Sequence, residues 1–462
     1  MGSDMKNYNI RHKNNLPVPQ LSSRLKNMVA VMLLIGMMLP ITQAEALAQD
    51  ILWTRQFGTS TEDRAYSVTV DSTGIYVAGG TYGELSDQTS AGLMDAFIRK
   101  YDINGTELWT RQFGTSGEDQ AWAVTTDDSG IYVAGYTSGA LPGQIYLGYA
   151  DAFIRKYDAN GAVVWTSQFG SGDYDRAYAI FADSTGIYVA GRTVNAGFCE
   201  AYVCKYNADG EVEWTRQFGT ADHDLALAVT ADSLGGIYVA GYTEGTLPGQ
   251  TNNLGYADIY VRKYNIDGTE LWTRQFGTLY DDVANAVTAD ASGIYVAGYT
   301  YGTLPEQSSA GSADAFIRKY DANGAVVWTS QFGTWTNDAA DAVTADSTGI
   351  YVAGGTYGEL SDQTSAGLMD AFIRKYDTNG TELWTRQFGT SLEDRAFGVT
   401  TNSSSIYVAG WTYGTLSYET SAGGIDAFVS RFSEANTAPL ADDDSAFWGL
   451  MIPVITNHAK QP

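Results

Sequence analysis

Residues Ile51–Phe57 read ILWTRQF, and the phrase Trp-Thr-Arg/Ser-Gln-Phe-Gly returns at Trp109, Trp165, Trp214, Trp272, Trp328 and Trp384. Counted from Trp53, the successive spacings are 56, 56, 49, 58, 56 and 56 residues. A period this regular marks one supersecondary unit repeated along the chain. Each later copy ends a unit of four short segments, whereas Ile51–Phe57 has no other three in front of it.

The first complete unit shows the pattern. Residues 65–71 (AYSVTVD), 75–81 (IYVAGGT), 95–101 (DAFIRKY) and 106–113 (TELWTRQF) are rich in Val, Ile, Tyr, Phe and Trp and are bounded by Gly, Asn, Asp and Ser. That is the signature of strands, and no segment carries a helical period long enough to compete. Residues 71–74 (DSTG) and 102–105 (DING) read as tight hairpin turns, with Asn or Asp bonding locally and Gly supplying positive φ. The second-to-third connection, residues 83–92, is long. In an up-and-down sheet, alternate connections fall on one edge, so the long loop shares a face with the link between units. Elaborated loops on a rigid scaffold are where binding sits, and this face is the candidate functional face.

A four-stranded antiparallel unit of this size, repeated four to eight times, builds a β-propeller. IYVAG occurs seven times, from Ile75 to Ile406, and the Asp-Ala-Phe type strand seven times, ending at residues 426–432 (DAFVSRF). No Trp strand follows that last copy. Pairing it with Ile51–Phe57 completes a seventh blade and removes the open edges of the array. The expected fold is therefore all-β: a seven-bladed propeller over residues 49–432, with four antiparallel strands per blade, the last blade closed by the N-terminal strand. A β-solenoid is the alternative, but its coils are shorter and would not need complementary termini.

The combination Asp-Ala-Phe-Ile-Arg-Lys-Tyr, then Gly, Leu-Trp-Thr, an Asp before Arg-Ala, and Gly-Ile-Tyr-Val-Ala-Gly resembles the SBBP-type seven-bladed β-propeller repeats of secreted and surface proteins. The resemblance covers residues 50–432. It implies the propeller and a generic display scaffold without one shared activity. The third unit departs from it, with a shortened loop at 194–199 and Glu200 in place of the usual Asp.

The formal net charge of −26 becomes more negative once the basic first 48 residues are set aside. Such a body repels nucleic acid and anionic lipid, and the same charge keeps a Gly-rich chain soluble. Residues 1–48 read as a signal peptide: Lys6, Arg11, Lys13, Arg24 and Lys26 precede an apolar run at 28–39 and small residues at Ala44, Ala46 and Ala48. The run is short for a transmembrane helix, so the mature chain is expected to be secreted or at the cell surface, without a transmembrane helix, and monomeric. Residues 433–462 read as an acidic linker followed by a short apolar tail. Cys199 and Cys204 would lie about 16 Å apart on one extended strand, too far to bridge, so free thiols are expected.

Two variable series are candidates for ligand binding. One position after the repeated Ala of the inner strand stand Tyr66, Trp122, Tyr178, Leu227, Asn285, Asp341 and Phe397; after Val-Ala-Gly stand Gly80, Tyr136, Arg192, Tyr242, Tyr299, Gly355 and Trp411. Aromatics from several blades can line a sugar- or peptide-binding surface, with Asn285 and Asp341 as polar anchors; packing between blades is the alternative for these positions. The aspartates that open each inner strand, Asp63, Asp119, Asp175, Asp224, Asp282, Asp338 and Asp394, are read as turn-holding residues. A Ca²⁺ role is the weaker reading, since no Asp-x-Asp-x-Asp-Gly loop occurs. No cofactor is expected. The tryptophans are read as structural, with Arg99 or Lys100 over Trp109 left to the hairpin register. His223 and His458 are too few for a His-based catalytic or metal centre, and His223 is read as an exposed loop residue. The expected function is non-enzymatic binding of a protein or glycan on the long-loop face, without nucleic acid. A secreted carbohydrate-active hydrolase or lyase with its site at the ring mouth is the alternative.

Overall fold

The computed structural model describes residues 51–195, 197–251 and 255–434. The expected export segment, the apolar tail and His458 lie outside the described residues. Strands β1 to β28 run in chain order from Ile51 to Ser433 and form seven four-stranded antiparallel sheets. Blade 1 comprises β2 (Asp63–Asp71), β3 (Gly74–Thr81), β4 (Asp95–Tyr101) and β5 (Glu107–Phe113), in that order from the channel outward. Blades 2 to 6 repeat it. Blade 7 pairs β26 (Asp394–Asn402), β27 (Ser405–Thr412) and β28 (Asp426–Ser433) with β1 (Ile51–Phe57). In that last pair Trp53 stands opposite Arg431 and Phe57 opposite Ala427, so the N-terminal strand closes the ring as expected.

The core lies between blades. Ala65, Val77 and Phe97 of blade 1 pack with Tyr407, Ala409 and Val429 of blade 7, and equivalent clusters fill the other junctions. Strands covered on both faces explain why β3 and β4 are buried along their whole length, including Arg99 and Lys100. These cations are tolerable there because each is bonded: Arg99 Nε donates to Thr110 Oγ1 at 2.8 Å, and Lys100 Nζ donates to Thr73 Oγ1 at 2.9 Å.

The tryptophans join blades. Trp53 Nε1 donates to the Ile103 carbonyl of the next blade at 3.2 Å, and Arg55 Nε donates to the Gly105 carbonyl at 2.8 Å. Gly105 has φ of 78°, and a Cβ there would stand 2.9 Å from the Trp53 indole. Backbone conformation and close approach therefore both demand glycine in this hairpin. Neither Arg99 nor Lys100 lies over Trp109. Lys100 pairs with Trp109 in the ladder but covers Tyr76, Arg99 covers Phe57 of the preceding blade at 4.1 Å, and Arg111 covers Trp109 at 5.3 Å.

Two further details depart from the expected boundaries. β28 runs to Ser433, and Glu434 accepts hydrogen bonds from Tyr351 and Lys375 of blade 6, at 2.6 and 3.4 Å. The equivalent lysine of other blades bonds a hairpin carbonyl of its neighbour, as Lys100 does with Ala159, so Glu434 substitutes for the hairpin that blade 7 lacks. In the third blade the short loop has become hairpin: β11 (Gly186–Asn195) and β12 (Phe198–Tyr206) pair to their tips. Cys199 and Cys204 both lie on β12, buried and free.

Candidate functional site at the channel mouth

The interblade links and the ends of the long loops meet on one face. Met94, at the end of the long loop, makes a parallel bridge with Glu118 of the link, and Asp119 N–H donates to the Met94 carbonyl at 2.7 Å. Asp119 in turn holds the link: its Oδ2 accepts from Thr115 N–H and Oγ1 at 2.7 and 3.1 Å. Asp63, Asp224, Asp282, Asp338 and Asp394 do the same with Thr59, Thr220, Thr278, Thr334 and Thr390, and Asp175 does so with Ser171. Among the described residues no group of three or more His, Cys, Asp or Glu is arranged to hold a metal ion. The long loops are pinned as well. Gln112 accepts from Leu85 N–H at 3.0 Å and donates to the Gly83 carbonyl and Asp95 at 2.8 Å each.

The first variable series lines the axial channel because of a β-bulge. In every inner strand the register slips at this residue, as between Ala65 and Ser67 or Ala340 and Ala342, leaving Tyr66 and Asp341 without a partner in the ladder. A bulge inserts one residue and re-aims its side chain. The seven bulge residues border a cavity of about 460 Å³. Next to them stand Val68, Val124, Ile180, Val229, Val287, Val343 and Val399, an apolar ring.

The bulge ring has two unlike halves. Tyr66 stacks on Trp122 with centroids 4.5 Å apart, and both make edge contacts onward, to Phe397 and Tyr178 at 5.8 and 5.9 Å. Opposite them lie Leu227, Asn285 and Asp341. Asn285 Nδ2 donates to the Ala340 carbonyl at 3.0 Å, and Arg395 Nε and Nη2 donate to Asp341 Oδ2 and Oδ1 at 2.7 and 2.8 Å. Burial pushes the Asp341 carboxyl up, while the Arg395 guanidinium opposes that rise. Two short parallel bonds of this kind clamp the carboxylate to the guanidinium and favour its charged form.

The second series has mixed fates. Tyr136 and Trp411 are buried, Trp411 against Met369 and Ile425. Arg192, Tyr242 and Tyr299 are half-buried. Burial pushes the Tyr136 hydroxyl up to about 12 despite Arg176 beside it. This series therefore packs at blade junctions around the mouth rather than facing the channel.

Three residues that the sequence reading passed over, Arg64, Arg176 and Arg395, sit one position before the repeated Ala. Arg64 lies over Trp411 at 5.9 Å and pairs with Glu62 at 2.9 Å; Arg176 lies over Tyr136 at 4.5 Å. With Arg192 they break the repeat pattern. Other cations of the body recur at the third-strand and outer-strand positions, where they stitch blades together. The available signal was a basic residue at a position that is Gln, Leu, Val or Ala in the remaining blades.

His223 is not an exposed loop residue. It is half-buried, its Nδ1 accepts from Cys199 N–H at 3.2 Å, and Phe198 packs 5.8 Å away. The extended hairpin of the third blade reaches across to it, which the shortened loop alone did not reveal.

Residues 213–247 match the family model described as Beta-propeller repeat, SBBP. The chain is 22% identical over 454 residues to the regulatory protein FlaEY of Caulobacter vibrioides, covering 87% of this chain and 43% of that protein, so it spans less than half of that relative's length. Among solved structures, Sqt1 of Chaetomium thermophilum is similar at 9% identity and TM-score 0.45, over 84% of this chain and 98% of that one. The polysaccharide lyase Uly1 is similar at 10% identity and TM-score 0.45, over 80% and 89%.

Proposed function

We propose that this propeller is an exported binding module that recognises a protein or glycan at the mouth of its axial channel, outside the cytoplasm. The bulge ring carries this reading. Seven equivalent side chains are aimed at one cavity, and they differ from blade to blade while the Ala immediately before each of them repeats. A scaffold that keeps its mortar constant and varies one inward ring concentrates its chemistry there.

Turnover has less support than binding. Asp341 is the one carboxylate among the residues lining the channel, and Arg395 engages both its oxygens. Glycoside hydrolysis by the usual route needs two carboxyl groups flanking one bond. The test is a peptide and glycan array on the exported chain, followed by product analysis of every hit. Binding without turnover, weakened at least tenfold by Trp122→Ala, is the expected result. A hit converted to product would establish the carbohydrate-active alternative, and binding indifferent to Trp122 would move the site elsewhere.

A further inference from the structure

The third blade carries an arrangement that packing does not account for. Arg176 and Arg192 stand opposite each other in the ladder between β10 (Arg176–Asp183) and β11. Like charges at paired positions are destabilising. Arg64 and Arg395 have carboxylate partners in Glu62 and Asp341, but among the described residues neither Arg176 nor Arg192 makes an ion pair, in a chain with a net charge of −26. Among the described residues Arg192 Nη1 donates to the Cys199 sulfur, at 3.3 Å. The Nε of both arginines is buried with no hydrogen-bond partner. A buried guanidinium N–H without an acceptor is costly, and nothing in the repeat requires it: the equivalent positions hold Gln120 and Tyr136 in blade 2, and Ala339 and Gly355 in blade 6.

The surroundings suit one kind of acceptor. Arg176 lies over the Tyr136 ring, 4.5 Å from its centroid, and a guanidinium is a planar fork of donors that matches a planar bidentate anion. Tyr178, two residues on, projects from the bulge to the channel edge, and Ile180 belongs to the apolar ring next to it. An anion held by the two arginines would thus have apolar and aromatic surface directly beside it.

We propose, on the premise that the mouth is the binding site, that Arg176 and Arg192 bind the terminal carboxylate of a peptide whose last side chain is apolar and enters the channel. An acidic polysaccharide fits less well. Its hydroxyls would lose hydrogen bonds against the ring of valines, and its repeated charges would meet the acidic surface of the body. A single chain terminus brings one carboxylate to two guanidinium groups.

The test uses the full exported chain and three fluorescent probes: dansyl-Gly-Gly-Phe as free acid, the same peptide as C-terminal amide, and a labelled galacturonic acid trimer. Titrations at low and at physiological salt are compared between the wild type and the Arg176→Gln/Arg192→Gln double variant. The free acid should bind at least tenfold more tightly than the amide, and the double variant should abolish that difference. Its melting temperature should be unchanged or higher, because a like-charge pair is removed. Equal binding of acid and amide overturns the proposal, as does binding of the uronate trimer alone. Neutral array ligands that bind regardless of the two arginines would overturn it while leaving the binding-module reading standing. No ligand on any array would remove both.

Discussion

Replacing Asp394 by asparagine should stabilise the propeller at neutral pH. Asp394 is buried at the junction of blades 6 and 7, where its Oδ2 accepts from Thr390 N–H and Oγ1 at 2.6 and 2.9 Å. Beside Gly389 it meets Asp370, also buried, whose Oδ2 accepts from Gln387 Nε2 and Ala366 N–H at 2.7 and 2.8 Å. Oδ1 of each is buried with no hydrogen-bond partner of full geometry; the Thr412 side chain lies beside the Asp394 carboxyl and favours its charged form. Burial pushes Asp394 up from 3.8 to about 6, the bonds to threonine oppose the rise, and the charge of Asp370 adds to it. Because the folded value lies above the unfolded one, folding favours the proton. Its stabilising effect is complete below about 3.8 and lost as pH climbs through about 6. At 1.36 kcal/mol per unit, the ionised form at pH 7.5 costs about 3 kcal/mol. Asparagine keeps an oxygen for Thr390, turns N–H donors toward Asp370 and carries no charge. For a propeller of roughly 380 residues, at an unfolding entropy of about 2.1 cal/mol/K per residue, that gain is worth about 4 °C. Differential scanning calorimetry should place Asp394→Asn several degrees above wild type at pH 7.5, with the gap falling to about 1 kcal/mol at pH 4.5. A variant that melts below wild type at pH 7.5, or a gap independent of pH, would refute the reasoning.

Other outcomes follow from the same contacts. Gly324 has φ of 76° and a Cβ would stand 3.0 Å from the Trp272 indole, so Gly324→Ala should destabilise by about 1–3 kcal/mol in chemical denaturation; an unchanged midpoint would contradict the glycine argument. Deleting the chain through Phe57 exposes the edge of β28, and the shortened protein should melt earlier and self-associate on a sizing column. A monomer with wild-type melting would mean that the seventh blade does not need β1. Trp411→Ala should lower stability by about 3 kcal/mol, because Trp411 is buried against Met369 and Ile425. Trp122→Ala should cost only about 1 kcal/mol for its stack on Tyr66 and act mainly on ligand affinity. Comparing the melts and binding curves of the two variants separates mortar from site.

Most of the fold was legible because the chain states it seven times. Strand bounds differ from the sequence reading by one or two residues: β2 starts at Asp63 rather than 65, and β5 at Glu107 rather than 106. Closure of blade 7 followed from the surplus strand at one end and the missing strand at the other. Contacts between units were less visible, since repetition shows what a unit contains and not which neighbour a side chain faces. Arg99 reaches back to Phe57 while Arg111 covers its own blade's Trp109, and the sequence distance between these partners gives no warning. Glu434 and His223 were missed for a related reason: each answers a local break in the repeat, a missing hairpin in blade 7 and a lengthened one in blade 3.

The candidate site was legible in membership but not in direction. Alternation along a strand assumes a constant period of two, which would put Tyr66 on one blade face opposite to its neighbours Ala65 and Ser67. Ala65 and Val68 both belong to the core between blades 7 and 1, and an odd separation of three between two buried positions on one strand requires a phase slip. The slip is the bulge, present in the inner strand of every blade. Its consequence is that one residue per blade is released from both blade faces and turned to the axis. There Trp, Asn, Asp and Leu are each accommodated beside the cavity, touching one another around the ring rather than filling the core between blades. The position at Gly80, Tyr136 and Trp411 has no such release, so its variation is constrained by the neighbouring blade. That difference in constraint, rather than aromatic character, is what separates a ring that can be tuned to a ligand from one that must fit its own fold.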